Sequence, residues 1–531
     1  MPIMSILSIL LYQQLCRAKG HSPFPPFAPS PFHPFTLLLT IVMLTGCNDI
    51  NNYSVSPNHL LSFSTDTLTF DTVFTTIGSA TGYFMIYNRN SEALKIETIR
   101  LAGGERSGFR INIDGRKGDT FSDIPIWKKD SLYVAVEVTV NPNDDNSPFA
   151  LYDSVVFNTN GRTQYVLLEA YGQNTHILKG GVIFIGDTTL TAERPYLIYD
   201  SIYIPEGVTV KIEKGASFYM HKDAKWLIGG TIITNGTQDE PVQFRADRLN
   251  KLTPYLSYDN ISAQWDGLYF SASSFDNELN YTLIRNGISG LTFEESTPDR
   301  KKIDIRNSQI KNMDGNVLWA VNCHIEASNS EFSNATTYLV MLLGGKYQFT
   351  HCTMANYMQP AMMSHKSTRF IQALTLADNI DITSNGMEEK RSFPLLQAFF
   401  DNCIIDGNLP VGVGELIFLT DESRMEGDDE QFNYRFNHCI IRAKKNDSER
   451  FKETLFIVDP WVENTKFIKS MPDNEDDDYD YVYDFRLASE SMGIGKADRS
   501  IATLFPIDRY GVNRLTSEFG PSIGAYEYVP E

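Results

Sequence analysis

The chain has 531 residues, 42% of them hydrophobic, and a formal net charge of -20. A length of that order fits two domains or three, and the apolar share can supply a sizeable core. The acidic excess disfavours nucleic acid and anionic membrane surfaces, which attract basic proteins, and leaves neutral polysaccharide, protein and divalent cations as partners.

In chain order, the first element is the apolar run Phe35 to Leu44. It is too short to cross a bilayer comfortably and has the length of a signal-peptide core. It ends in Leu44-Thr45-Gly46-Cys47, which resembles the bacterial lipoprotein signal. The resemblance implies removal of residues 1–46 and acylation of Cys47, with palmitate among the chains. The leader holds Arg17 and Lys19 and no acid, so the mature chain would be two units more negative, at about -22. Asn48 stands where an Asp is linked to inner-membrane retention. The expected location is therefore the outer membrane of a Gram-negative bacterium, anchored by lipid and facing the cell surface. Residues 47–59 read as a polar tether.

Residues 60–175 read as a β-sandwich. Leu132, Val134, Val136, Val138 and Val140 alternate as a half-buried strand does. Val155 to Phe157 and Tyr165 to Leu168 flank Asn158-Thr159-Asn160-Gly161, a hairpin signal. About seven short strands are expected in this span. Thr76-Ile77-Gly78, Tyr87-Asn88, the Asn141-Pro142 strand end and the closing Leu168-Glu169-Ala170-Tyr171-Gly172 resemble immunoglobulin-like domains of the Hydin/SPD-2 type. Such domains serve mostly as spacers or adhesive modules.

Residues 176–465 carry a repeat. Asn307, Asn329 and His351 recur at an interval of 22 residues, and the same pattern returns at Asn402 and His438, after intervals of 51 and 36. A fixed short period in β-type sequence means a stack of coils. Ile303 and Ile305 share one face, while Ser308 and Ile310 are out of phase with them, so the chain bends between. Asn and His tolerate positive φ, which places the bend at this column. Stacked Asn amides can bond from coil to coil across about 4.8 Å. The following column, Ser308, Ser330, Cys352, Cys403 and Cys439, is small enough for a tight corner. The cysteine spacings are those of the repeat rather than of a zinc site. With the alternating strands from Ile202 to Phe270, these segments look like a right-handed parallel β-helix. The expected class is therefore all-β, a sandwich followed by a β-helix.

Residues 466–531 open with Asp473, Glu475, Asp476, Asp477 and Asp478. This run is a solvated loop or a weak calcium candidate, since clustered carboxylates suit a hard cation. No other cofactor is implied. Asp508-Arg509-Tyr510-Gly511-Val512-Asn513-Arg514 and Ser522-Ile523-Gly524-Ala525-Tyr526-Glu527 resemble the closing motif of bacterial surface β-helix proteins. The resemblance implies a cap on the open end of the stack.

The β-helix class includes lyases, glycosidases and binding proteins, so fold alone does not decide function. Register puts Asp304 and Glu326 in one outward column about 5 Å apart, near the spacing of a retaining glycosidase pair, with Arg306 alongside. The competing reading is a solvated charged face. Triplets such as Asp66-Thr67-Leu68 and Asp200-Ser201-Ile202 resemble an O-glycosylation signal and also suit strand starts. The expectation is a non-catalytic envelope lipoprotein that binds glycan or protein. A polysaccharide lyase or glycoside hydrolase is the alternative.

Overall fold

The computed structural model describes residues 53–530, apart from 80, 144–145, 254–255, 360–361, 363–370, 385–386, 421–429 and 472–480. The described chain is all-β, a β-sandwich followed by a right-handed parallel β-helix.

The sandwich has two five-stranded sheets. One contains Gly82–Tyr87, Ser131–Val138 and Phe109–Ile113 at its centre; the other is built around Phe149–Thr159 and Arg162–Gln173. The alternating valines do what their period requires: Val134, Val136 and Val138 are fully buried against Phe84, Ile86, Ile96 and Phe157. The hairpin turn falls at Asn160 and Gly161, with φ of 52° and 70°, as a two-residue turn with both centres left-handed demands. The sandwich has ten strands rather than the expected seven; Ser62–Phe63 and Arg116–Gly118, of two and three residues, are too short to show an alternation in sequence.

Three parallel sheets form the β-helix, with 11, 9 and 10 strands. The first begins at His176–Leu178, the second at Val182–Ile183 and the third at Thr188–Leu190. Each full coil gives one strand to each sheet. Residues meet their counterparts one coil on, so Ile303, Ile325 and Tyr347 form one inward file. One inward file is aromatic. Phe349, Phe400, Phe436 and Phe451 stack with centroids 5.3, 4.8 and 5.1 Å apart and nearly parallel rings.

After each of the last seven third-sheet strands the chain bends at one residue. Tyr281, Asn307, Asn329, His351, Asn402, His438 and Glu453 hold that position, with φ between 44° and 56°. The next residue always carries a small donor that reaches the carbonyl two residues back. Ser308 Oγ donates to Arg306 O at 2.7 Å, Ser330 Oγ to Ser328 O at 2.8 Å, and Cys403 Sγ to Asp401 O at 3.3 Å. Thr282 and Thr454 do the same. This satisfies a carbonyl that the bend removes from the sheet ladder. The four described cysteines are buried and free. Cys352, Cys403 and Cys439 serve this column, whereas Cys323 lies outside it.

Two pieces cover the first sheet's outer face. At the early coils the sandwich docks there: the Phe74 ring lies 4.7 Å from that of Tyr219, and outward-facing Leu197 is fully buried. At the later coils Phe467, Phe485, Leu487 and Ile523 pack on Ala355, Ile404 and Ile440. The closing motif was expected over the open end of the stack. Its described residues lie instead along the side, as a strap over the corner file. Asn329 Nδ2 donates to Ile507 O at 2.9 Å, Arg509 Nε to Asn307 O at 3.1 Å, and Gly524 N to Asn402 O at 2.8 Å. The reason is chemical: the bend exposes amide groups that a sheet would have paired, and the strap supplies partners for them.

Candidate functional site

The third sheet's outer face carries the acids singled out by spacing. Glu278, Asp304, Glu326, Gln348, Phe399 and Arg435 form one outward file in unbroken register. The structure thus brings Asp304 and Glu326 together on adjacent coils. It also shows what holds them. Arg306 Nη2 lies 2.9 Å from Glu278 and Nη1 3.6 Å from Asp304. Lys301 Nζ bridges Asp304, at 3.8 Å, and Glu326. His324 Nε2 adds a contact to Glu326 at 3.3 Å. Burial raises the Asp304 carboxyl above its ordinary range, against the pull of Arg306 and Lys301. Burial also lowers the His324 imidazole, against the pull of Glu326. Acid–base cleavage of a glycoside needs one protonated carboxyl and one free carboxylate flanking the bond. This group is a lattice of alternating charges, each carboxylate already engaged by a cation.

Further along the same face the chemistry changes. A cleft of about 380 Å³ is lined by Phe399, Glu430, Asn433, Tyr434, Arg435, Glu449 and Arg450. The Arg435 guanidinium sits 4.4 Å over the Phe399 ring and that of Arg450 4.5 Å over Tyr434. Arg435 is fixed from behind by Asp401, with Nη2 at 3.1 Å from both carboxylate oxygens. Asp401 is 5% exposed and also accepts from Gln348 Nε2 at 2.8 Å and Asn437 Nδ2 at 3.1 Å. Each cation is therefore preorganised, and each backs a ring.

A larger cleft, of about 660 Å³, opens where the sandwich meets the β-helix. Phe70, Asp71 and Phe74 line one wall; Tyr199, His221, Asp247 and Arg248 line the other. His221 Nδ1 lies 2.6 Å from Asp247 Oδ2. The Tyr199 ring is occupied on both sides, by His221 at 4.5 Å and by Lys179 at 4.3 Å.

The Asn/His file has a structural part. Asn307 Nδ2 donates to Asn280 Oδ1 at 3.1 Å, Asn329 Nδ2 to Asn307 Oδ1 at 3.4 Å, and Asn402 Nδ2 lies 3.0 Å from His351 Nε2. His438 continues the file and contacts Asn437 Oδ1 at 3.0 Å through Nδ1. Cys47 and the acidic run Asp473, Glu475, Asp476, Asp477 and Asp478 lie outside the described residues. Sequence reading missed both clefts. Phe399 follows a 51-residue interval and Arg450 lies in the last coil, so only register through the long loops could have joined them. Of the Asp-Ser/Thr triplets, those at Thr67, Ser131, Thr188 and Ser201 begin strands.

No family model matches the chain, and no curated protein matches it. Among solved structures, it is similar over 24% of its length to a PapD-like domain of human CEP192, covering 92% of that domain at 10% identity and a TM-score of 0.16. It is similar over 68% of its length to the catalytic domain of a GH87 α-1,3-glucanase, covering 82% of that chain at 11% identity and a TM-score of 0.19. A family 123 glycoside hydrolase from Clostridium perfringens matches over 22% of this chain and 30% of its own, at 8% identity and a TM-score of 0.17. At those scores the likenesses carry no argument, and the fold rests on the sheet topology itself.

Proposed function

We propose that this is a non-catalytic lipoprotein, anchored through Cys47 in a Gram-negative outer membrane, that holds glycan on the flank of its β-helix. The observation that supports it best is the Phe399–Arg450 cleft. It offers fixed guanidinium donors, carboxylate acceptors and the partly exposed Phe399 ring on a rigid sheet, a combination that sugar hydroxyls can use. The acids upstream of it are engaged in ion pairs, which suits a surface that binds without turnover. The test is the mature chain, residues 47–531, against a polysaccharide panel, read for both binding and products. Retention of a polymer with no new chain ends is expected, weakened by Arg435→Ala with Arg450→Ala. Retention only of an envelope protein would replace glycan as the ligand. Loss of acyl incorporation in Cys47→Ser tests the anchor.

One observation favours the enzymatic alternative. Glu430 and Glu449 both line the cleft beside Phe399 and Tyr434. Polymer cleavage that vanishes in Glu430→Gln or Glu449→Gln would make the protein a glycoside hydrolase or polysaccharide lyase. Cleavage that vanishes in Asp304→Ala or Glu326→Ala would move the same activity to the charged file.

A further inference from the structure

We propose that the outer face of one sandwich sheet is a second binding surface, built for a neutral polysaccharide. It stands independently of what the β-helix flank binds. Phe149–Thr159 and Arg162–Gln173 are the longest described strands, of 11 and 12 residues, and they pair antiparallel. Their alternation buries Val166, Leu168 and Ala170 completely. The same alternation turns Tyr165, Leu167, Glu169 and Tyr171 outward, with Tyr152 directly opposite Glu169. The tyrosines stay open to solvent: Tyr152 is 71% exposed, Tyr165 61% and Tyr171 40%, with Leu167 at 46%. Contiguous exposed apolar groups of this kind mark an interaction site.

The face is also held in shape. The Tyr171 hydroxyl donates to Glu169 Oε1 at 2.8 Å, and Thr69 Oγ1 donates to Glu169 Oε2 at 3.3 Å. Tyrosine brings a large, rigid, amphipathic surface at low entropic cost. Tyr165 and Tyr171 are six residues apart on one strand, so the platform runs for about 20 Å. That suits an extended chain of sugar rings stacking by their C–H faces, with hydroxyls bonding to phenol groups and carboxylate.

Size and charge select the occupant. The three tyrosines expose roughly 350 Å². A stable protein partner or a second copy needs about 800 Å² on each side. Glu169 is the only charge within this group, Arg100 lies at its margin opposite Val156, and the chain as a whole carries -20. A uronate-bearing polymer would meet repulsion, whereas a neutral one would meet none.

The experiment uses the mature chain and three soluble probes: a neutral glucan, a neutral mannan and polygalacturonate. Titration calorimetry compares wild type with Tyr152→Ala/Tyr165→Ala/Tyr171→Ala, with the matching Phe triple, and with Arg435→Ala/Arg450→Ala. Unfolding midpoints confirm that each variant is folded. A neutral probe should bind, lose about tenfold or more in affinity in the Ala triple, and keep most of it in the Phe triple. The arginine pair should leave this component untouched; what that pair weakens belongs to the β-helix flank and judges that reading alone. The platform is overturned if neither neutral probe binds, if the Ala triple binds like wild type, or if polygalacturonate is the preferred probe. It is equally overturned if light scattering finds a wild-type dimer that the Ala triple dissolves.

Discussion

A left-handed backbone costs an ordinary L-residue roughly 1–2 kcal/mol, and asparagine pays least among residues with a Cβ. Five of the seven corner positions hold Asn or His; Tyr281 and Glu453 do not. Glu453 is exposed, so Glu453→Asn should relieve strain without disturbing packing and stabilise by roughly 0.5–1 kcal/mol, read from the denaturation midpoint. Asn329→Ala should move the other way by about 2–3 kcal/mol, because it also breaks the bond to Ile507 O and leaves buried Arg514 without the Asn329 Oδ1 acceptor at 3.1 Å. Asparagine's tolerance of this conformation is what made the corner legible in sequence. Tyr281 and Glu453 escaped because nothing in their side chains announces it. Lys302 gives a prediction of a different kind. It is fully buried, with Nζ 2.5 Å from Ser271 O, and burial lowers its pKa from 10.5 to about 8 against the pull of Cys323 and Glu294. Between those two values the unfolded chain holds a proton that the folded chain has shed. This group's stabilisation is therefore complete above 10.5 and is lost as pH falls through about 8. Lys302→Met should flatten the rise in stability across that window, measured as the wild-type minus variant melting difference at stepped pH. A constant difference would remove Lys302 as its source.

At the scale of elements, coil length decided what could be read. The two intervals of 22 residues lie where all three turns are short. The later intervals enclose the hairpin of Asn379–Ser384 with Met387–Ser392 and the residues inserted between Leu419 and Phe432, which shift each column out of sight. The acid file was legible because its members fall in the regular stretch. Both clefts were not: Phe70 meets Tyr199 only where the sandwich docks on the β-helix, and Phe399 meets Arg450 only across coils that long insertions separate in sequence. The closing motif was legible as a motif and not as a position. Its buried residues show its construction, with Arg514 3.6 Å from Glu527 and Ser522 Oγ donating to Glu527 at 2.7 Å. Gly524 has φ of 101°, and a Cβ there would meet Ile404 Cδ1 at 2.6 Å. Gly524→Val should therefore unseat the strap and leave the coils folded, seen as faster proteolysis confined to the region after residue 490. In the core, Phe400 is clasped between Phe349 and Phe436, and Phe400→Ala should cost about 3–5 kcal/mol through the cavity it opens.

For the whole molecule, the decisive contact is the one that docks sandwich on β-helix. Phe74, Leu197 and Tyr219 make it apolar, and Asn146 Nδ2 adds a bond to Glu193 Oε1 at 2.7 Å. Leu197→Arg would bury a charge there, so the sandwich should swing free; small-angle scattering would show a larger radius of gyration with an unchanged far-UV spectrum. Neither the docking nor its partners could be read from the alternation of strands, which reports which face is covered and not by what. The strap has a consequence in time. Arg509, Arg514 and Gly524 are synthesised after every coil they clasp, from the one at Asn307 to the one at Asn402. Until they arrive, each corner amide they will satisfy is solvated and each turn of the spiral can fray from its neighbour. The sheets zip the turns to one another, and a single segment at the end of the chain latches several of them together.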